Sequence, residues 1–99
     1  MTPLSGKQKS HLRSLGHHLK PLLQVGKGGI TDSFIDQLKI ILETHELIKI
    51  KVIKNSDLDL SEAEEQITSK LPCQIAQKIG KTLLIYLPNQ EEPKIKIPK

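Results

Sequence analysis

The chain has 99 residues, of which 36% are hydrophobic and 26% charged, and 15 basic residues outnumber 11 acidic ones to give a net charge of +4. These values predict one globular domain with a small core and exclude a disordered chain, and no apolar stretch approaches the roughly 20 residues of a membrane helix. A single cysteine excludes an internal disulfide and fits a reducing compartment. Together with the lack of a long apolar stretch, this leads us to expect a cytoplasmic protein without a membrane partner.

The first predicted element is a helix that begins at Ser5, as in a capping box, and ends before Pro21. Three leucines at helical spacing form its apolar stripe: Leu12, Leu15 and Leu19. A neighbouring face gathers basic residues: Lys9, Arg13, His17 and Lys20. A charged face is ordinary on a surface helix, but residues 1–31 contain no Asp or Glu. That absence favours a polyanionic partner.

A glycine loop follows a short extended run over 22–25 and precedes a helix that begins at Thr31. Its residues are Gly26, Lys27, Gly28 and Gly29. This is the G-x-x-G form with which KH-type readers of single-stranded RNA clamp the backbone, and a helix N-terminus also favours an anion. The glycines could instead serve only the geometry of a tight turn, with the lysine solvated. The acid-free flanks favour a phosphate site.

The second helix and the strand after it carry regular apolar patterns. The predicted buried face of the helix comprises Phe34, Leu38, Ile41, Leu42 and His45. In the strand, over 47–53, apolar residues alternate with Lys49 and Lys51, so that one face is cationic. These two lysines could line an RNA surface, or they could protect a sheet edge against aggregation. The pattern breaks at Asn55-Ser56-Asp57.

The remaining chain predicts a third helix and a hairpin. Ser61 and Glu64 form a capping-box signature, and two strands, over 74–79 and 82–87, flank a two-residue turn, Gly80-Lys81. The order α-β-α-β-α-β-β predicts an α+β fold, a mixed four-stranded sheet with three helices in a two-layer arrangement. We expect one domain over 1–88 and a polar tail over 89–99, which could add an edge strand.

The residues offer no pattern for catalysis or metal binding. Gly80-Lys81-Thr82 resembles the end of a Walker A loop, but its predicted context is strand–turn–strand and the earlier glycine is missing. The histidines and Cys73 lack the spacing of metal ligands. Because Phe34 and Tyr86 are the only Phe, Tyr or Trp residues and both lie on apolar patterns, we expect no base-stacking platform of the RRM or OB type. We therefore expect no enzyme activity, no cofactor, no metal and no small-molecule substrate.

Three segments in this order resemble a known family: residues 12–29 with the glycine loop, residues 45–52 and residues 79–86. They are similar to the CRM domain (chloroplast RNA splicing and ribosome maturation) in its stand-alone bacterial YhbY-like form, over roughly residues 4 to 88. The resemblance implies a fold akin to the C-terminal domain of translation initiation factor three. Family members commonly have an arginine after the last strand's tyrosine, where this chain has Leu87.

The resemblance also implies RNA binding and association with precursors of the large ribosomal subunit (pre-50S particles). Carried over by position, the RNA-contacting loop is Gly26, Lys27, Gly28 and Gly29. Basic residues of the first helix and the second strand extend it: Lys9, Arg13, Lys20, Lys49 and Lys51. We expect a monomer that contacts ribosomal RNA through phosphates and shape. The alternative is an adaptor that binds a ribosomal protein or assembly factor through the acidic third helix.

Overall fold

The computed structural model describes residues 3–53 and 58–98. Seven elements follow in chain order: α1 (Gly6–Gly16), β1 (Pro21–Val25), α2 (Asp32–His45), β2 (Leu47–Val52), α3 (Leu60–Lys70), β3 (Gln74–Ile79) and β4 (Thr82–Tyr86). The predicted α+β class and element order are confirmed. The predicted break at Asn55-Ser56-Asp57 lies outside the described residues. None of the described helices is long and apolar enough to span a bilayer.

The four strands form one mixed sheet in the order β1-β2-β4-β3. β1 and β2 are parallel, as a helical crossover requires, and β4 runs antiparallel to both β2 and β3. The two-residue turn between β3 and β4 is confirmed, with Ile79 opposite Thr82 and Gly80 at a φ of +58°. Consequently β1, β2 and β3 end, and β4 begins, at one end of the sheet, which we call the loop end.

Helices cover both faces of the sheet. Ile48 and Ile85 face a core formed with α2 and α3, whereas their neighbours Leu47 and Leu84 face a smaller core formed with α1. This follows from the alternation of side chains along a strand. The two-layer arrangement that we expected is therefore a three-layer one, because α1 packs on the face that α2 and α3 leave open.

Helix α1 ends at Gly16, a turn earlier than predicted. Gly16 lies against β4, where a Cβ atom would stand 2.7 Å from Leu84 Cδ1, so the close packing of α1 on the sheet requires a glycine. Of the predicted leucine stripe only Leu12 is buried, whereas Leu15 is 43% and Leu19 37% exposed. The basic face predicted for a longer helix is correspondingly shortened.

The two later helices are capped by side chains at their N-termini. Thr31 caps α2 as predicted, its hydroxyl accepting a hydrogen bond of 3.0 Å from the Phe34 N–H. Helix α3 begins earlier than predicted, because Asp59 and Glu62 form the capping box two residues before the Ser61 signature. On the predicted buried face of α2, the last position is wrong, since His45 is exposed.

A buried glutamate fixes the C-terminal tail. Glu46, between α2 and β2, has no exposed surface and a φ of +63°. Its carboxylate accepts hydrogen bonds of 2.5 to 3.0 Å from the backbone N–H groups of Asn89, Lys94 and Ile95. Within 89–98 the tail forms no strand. It lies along α1 instead, where Gln8 Nε2 donates 2.8 Å to the Pro98 carbonyl.

Candidate nucleic-acid interface

The glycine loop is a tight turn between β1 and α2. The Gly29 N–H donates a hydrogen bond of 3.0 Å to the Gly26 carbonyl, which closes the turn. Gly29 has a φ of +70°, a left-handed conformation that other residues adopt only at a cost. At this position, therefore, the backbone geometry of the chain itself demands a glycine.

The other two loop glycines are not required by the fold. A Cβ atom on Gly28 would meet nothing within 4 Å, and one on Gly26 would lie 3.8 Å from Ile53 Cδ1, an ordinary contact. Neither residue has a φ in the left-handed region. The explanation by turn geometry therefore accounts for Gly29 alone. Gly26 and Gly28 leave an uncovered stretch of backbone that another molecule can approach closely.

Several amides at this loop are open. The N–H groups of Lys27 and Gly28 donate no hydrogen bond within the part of the chain that the structure describes. In the first turn of α2, Thr31 caps the Phe34 N–H, and the preceding amides of Asp32 and Ser33 have no acceptor among the described residues. Open amides and a helix N-terminus together favour an anion at this spot.

The two lysines of β2 face the α1 side of the sheet. Lys51 is exposed and lies opposite Gln24 of β1, two residues before the loop, whereas Lys49 is half-buried beside Leu84. Since β2 is an interior strand, protection of a sheet edge does not explain them. Lys51 therefore extends the positive charge of the glycine loop along the sheet.

The other three predicted cations lie apart from the loop. Lys9 lines a depression with Glu64 and Thr68 of α3, beside the edge strand β3. The loop follows β1, which is the opposite edge of the sheet. Arg13 follows one turn later on the same face of α1. Lys20 lies beyond the end of α1 and just before β1, at the opposite end of that strand from the loop. The predicted set is thus not one contiguous patch.

A cation that the sequence analysis passed over lies at the loop end. Lys81 appeared there in the predicted turn and in a rejected Walker A resemblance, but not among the candidate RNA contacts. Its carbonyl accepts a hydrogen bond of 2.7 Å from the Val52 N–H, which holds the β3–β4 turn against the end of β2. The turn itself was predictable from Gly80-Lys81, but its place beside β2 follows only from the strand order.

Three acidic residues of α2, α3 and the α3 cap form contacts within the described part of the chain. Asp32 lies 3.3 Å from Lys70 Nζ, and Glu64 lies 2.9 Å from Lys78 Nζ. The Asp59 carboxylate accepts 2.8 Å from the Glu62 N–H and caps α3. Neither Lys27 nor Lys51 forms an ion pair with a described residue.

Two buried titratable side chains have perturbed acidity. Burial raises the pKa of the Cys73 thiol from 9.0 to about 11, so the thiol stays protonated near neutral pH. Burial, and secondarily the negative charge of Glu46, raises the pKa of Tyr86. Both belong to the core, and neither is a nucleophile at neutral pH. Across residues 3–53 and 58–98, no three His, Cys, Asp or Glu side chains gather as metal ligands would.

Comparison with known proteins identifies relatives of this chain. The pattern that defines the CRS1 / YhbY (CRM) domain matches residues 4–86. A Bacillus subtilis protein named "Probable RNA-binding protein YqeI" is 42% identical, over 96% of this chain and 99% of its own. A Haemophilus influenzae protein named "RNA-binding protein" is 36% identical, over 100% and 99% of the two chains. A Staphylococcus aureus protein of known solution structure aligns with a TM-score of 0.79 at 40% identity, over 96% and 99%.

Proposed function

Because this chain belongs to the CRS1 / YhbY (CRM) domain family, as its three motif segments predicted, we propose that it binds RNA, and specifically ribosomal RNA in precursors of the large subunit. The names of the Bacillus and Haemophilus relatives support the RNA partner. The resemblance to the stand-alone YhbY-like form supports the ribosomal target. The protein acts by binding and carries out no reaction.

The observation that carries the proposal is the openness of the glycine loop. Gly26 and Gly28 lack side chains at positions where the fold would accept them, and the amides of Lys27 and Gly28 have no acceptor among the described residues. A phosphate oxygen needs close approach to N–H donors, and a Cβ atom would obstruct that approach. The sugar–phosphate backbone of RNA meets this requirement repeatedly along its length.

The surrounding side chains fit contact with phosphates better than contact with bases. Lys27 and Lys51 are exposed cations, whereas the two aromatic residues, Phe34 and Tyr86, are half-buried and buried. No Phe, Tyr or Trp side chain is therefore exposed for stacking within the described part of the chain. RNA affinity should consequently fall with salt, by roughly 0.7 in the log–log slope for each phosphate neutralised on a single strand.

The adaptor alternative has weaker support. Of the acids in the first half of α3, Glu62 completes the capping box and Glu64 pairs with Lys78. The helix therefore offers less free negative charge to a basic ribosomal protein than its acid count indicates.

Binding to protein-free RNA tests the proposal and separates it from the adaptor. Filter-binding titrations against transcribed large-subunit ribosomal RNA compare the wild type with Lys27→Ala and Lys51→Ala. Lys39→Ala is the matched control, because Lys39 is an exposed lysine of α2 beside a groove at the far end of the sheet. We expect the first two variants to bind more weakly, each with a log–log salt slope lower by about 0.7, and the control to bind normally.

Two results would refute the proposal. If Lys27→Ala and Lys51→Ala bind like the control, the loop is not the RNA surface. If the wild type ignores protein-free RNA yet sediments with ribosomal particles, the adaptor replaces the RNA-binding function.

A further inference from the structure

We propose that the β3–β4 turn is a second phosphate contact with Lys81 as its cation, so that an RNA backbone crosses the loop end of the sheet from the glycine loop to this turn. The inference rests on the proposed function and adds a residue and a path to it. It starts from the register of three neighbouring strands.

That register places the glycine loop and the turn on either side of β2. Gln24 lies opposite Lys51, and Lys51 lies opposite Thr82, so the three residues form one row across β1, β2 and β4. Two strand spacings separate the ends of this row, or about 10 Å. The loop begins two residues after Gln24, and Lys81 immediately precedes Thr82.

Backbone hydrogen bonds continue the alignment beyond the row. The Ile53 N–H donates 3.1 Å to the Val25 carbonyl, and the Val52 N–H donates 2.7 Å to the Lys81 carbonyl. The end of β2 is thereby bonded to β1 on one side and to the turn on the other. The two connections are held in a fixed relation by backbone bonds, which do not depend on flexible side chains.

The charges distinguish Lys81 from the other lysine of the hairpin. Lys78 faces α3, where Glu64 pairs with it at 2.9 Å. Lys81 is exposed and forms no ion pair with any described residue, and the same holds for Lys27 and Lys51. These three cations lie at the loop end, where each is available to neutralise a phosphate.

The turn holds the backbone of Lys81 in a defined conformation. Gly80 has a φ of +58° and Lys81 a negative one, as a type II′ turn requires. A Cβ atom on Gly80 would meet nothing within 4 Å, so the outer surface of the turn is uncovered. A hydrogen-bonded, open turn loses little backbone entropy when its lysine binds, which favours contact.

The test compares two lysines of one hairpin. Lys81→Gln and Lys78→Gln remove the same charge, and Lys81→Arg keeps it. Fluorescence anisotropy with a labelled oligouridylate of about 20 nucleotides and with protein-free large-subunit ribosomal RNA measures affinity across a salt series. Thermal unfolding verifies that each variant is folded.

Loss of one phosphate contact on a single strand should lower the log–log salt slope by about 0.7, which is roughly a fivefold loss of affinity at about 0.1 M salt. We expect this for Lys81→Gln, with Lys78→Gln and Lys81→Arg close to the wild type. Combining Lys81→Gln with Lys27→Gln should lower the slope by about 1.4. If Lys27→Gln alone weakens binding and Lys81→Gln matches Lys78→Gln, this inference is overturned and the proposed function stands. If neither Lys27→Gln nor Lys81→Gln weakens binding, both are overturned.

Discussion

Substitution of the two adjacent loop glycines should separate folding from RNA binding. Alanine at Gly29 must adopt a φ of +70°, and this left-handed conformation costs roughly 1 to 2 kcal/mol. Alanine at Gly28 meets no atom within 4 Å and no positive φ, so it should leave stability unchanged or raise it by up to about 1 kcal/mol through the unfolded chain. The two variants should therefore differ in stability by about 1 to 3 kcal/mol.

In RNA affinity the order of the two variants should be reversed, with Gly28→Ala the weaker one. A methyl group on Gly28 covers the backbone that we assign to phosphate, and losing one hydrogen bond to a charged group costs about 1.5 kcal/mol, or about tenfold in affinity. Gly29→Ala, once folded, keeps the amides of Lys27 and Gly28 open and should bind more tightly than Gly28→Ala.

Thermal unfolding and filter binding to protein-free ribosomal RNA measure the two quantities. For a domain of this size each 1 kcal/mol corresponds to roughly 4 to 8 °C in Tm. Gly6→Ala is the control, because Gly6 of α1 also has open space around its Cβ position and lies outside the loop. The reasoning fails if Gly28→Ala binds RNA like Gly6→Ala, or if Gly28→Ala lowers Tm as much as Gly29→Ala.

Three further predictions concern the scaffold. Glu46→Gln replaces the charged acceptor of the Lys94 and Ile95 amides and should lower the free energy of unfolding by about 2 to 4 kcal/mol. Hydrogen exchange at these two amides should become faster, and unchanged exchange would contradict the prediction. Gly16→Val should cost about 1 to 3 kcal/mol by overpacking against Leu84, and denaturation should show partial rescue in the double variant with Leu84→Ala. Folding raises the pKa of the Cys73 thiol from 9.0 to about 11. The contribution of this protonated thiol to the free energy of unfolding is therefore full below pH 9.0 and is lost as pH rises to about 11. Between pH 9 and 11 the wild type should lose about 2 to 3 kcal/mol of unfolding free energy that Cys73→Ala does not lose, as measured by denaturation. Identical pH profiles for the two proteins would refute this prediction.

Local patterns in the chain were enough to predict most of the fold. The Thr31 cap, the alternation along β2 and the Gly80-Lys81 turn each depend on residues a few positions apart, and the structure confirms all three. Helix boundaries were predicted less well where two signals competed. At α3, Asp59 offers the same capping chemistry as Ser61, and only its hydrogen bond with Glu62 decides between them.

Contacts between residues distant in sequence decided the rest. Leu15 and Leu19 follow a helical period, yet they remain exposed, because α1 meets the sheet through Leu12 and Gly16 and ends at Gly16. Periodicity reports which residues share a face, but it contains no information on which surface that face meets. The predicted two-layer arrangement of the helices was wrong for the same reason.

Part of the candidate RNA surface was likewise predictable from local sequence, and part depended on tertiary structure. The chain by itself determined the glycine loop and its lysine, because loop and helix start are contiguous in sequence. Tertiary structure alone brought Lys51 and Lys81 to the loop end and left Lys9 beside α3. The reason is physical: strand pairing sets the spacing between distant segments, and that pairing is a property of the whole sheet rather than of any single segment.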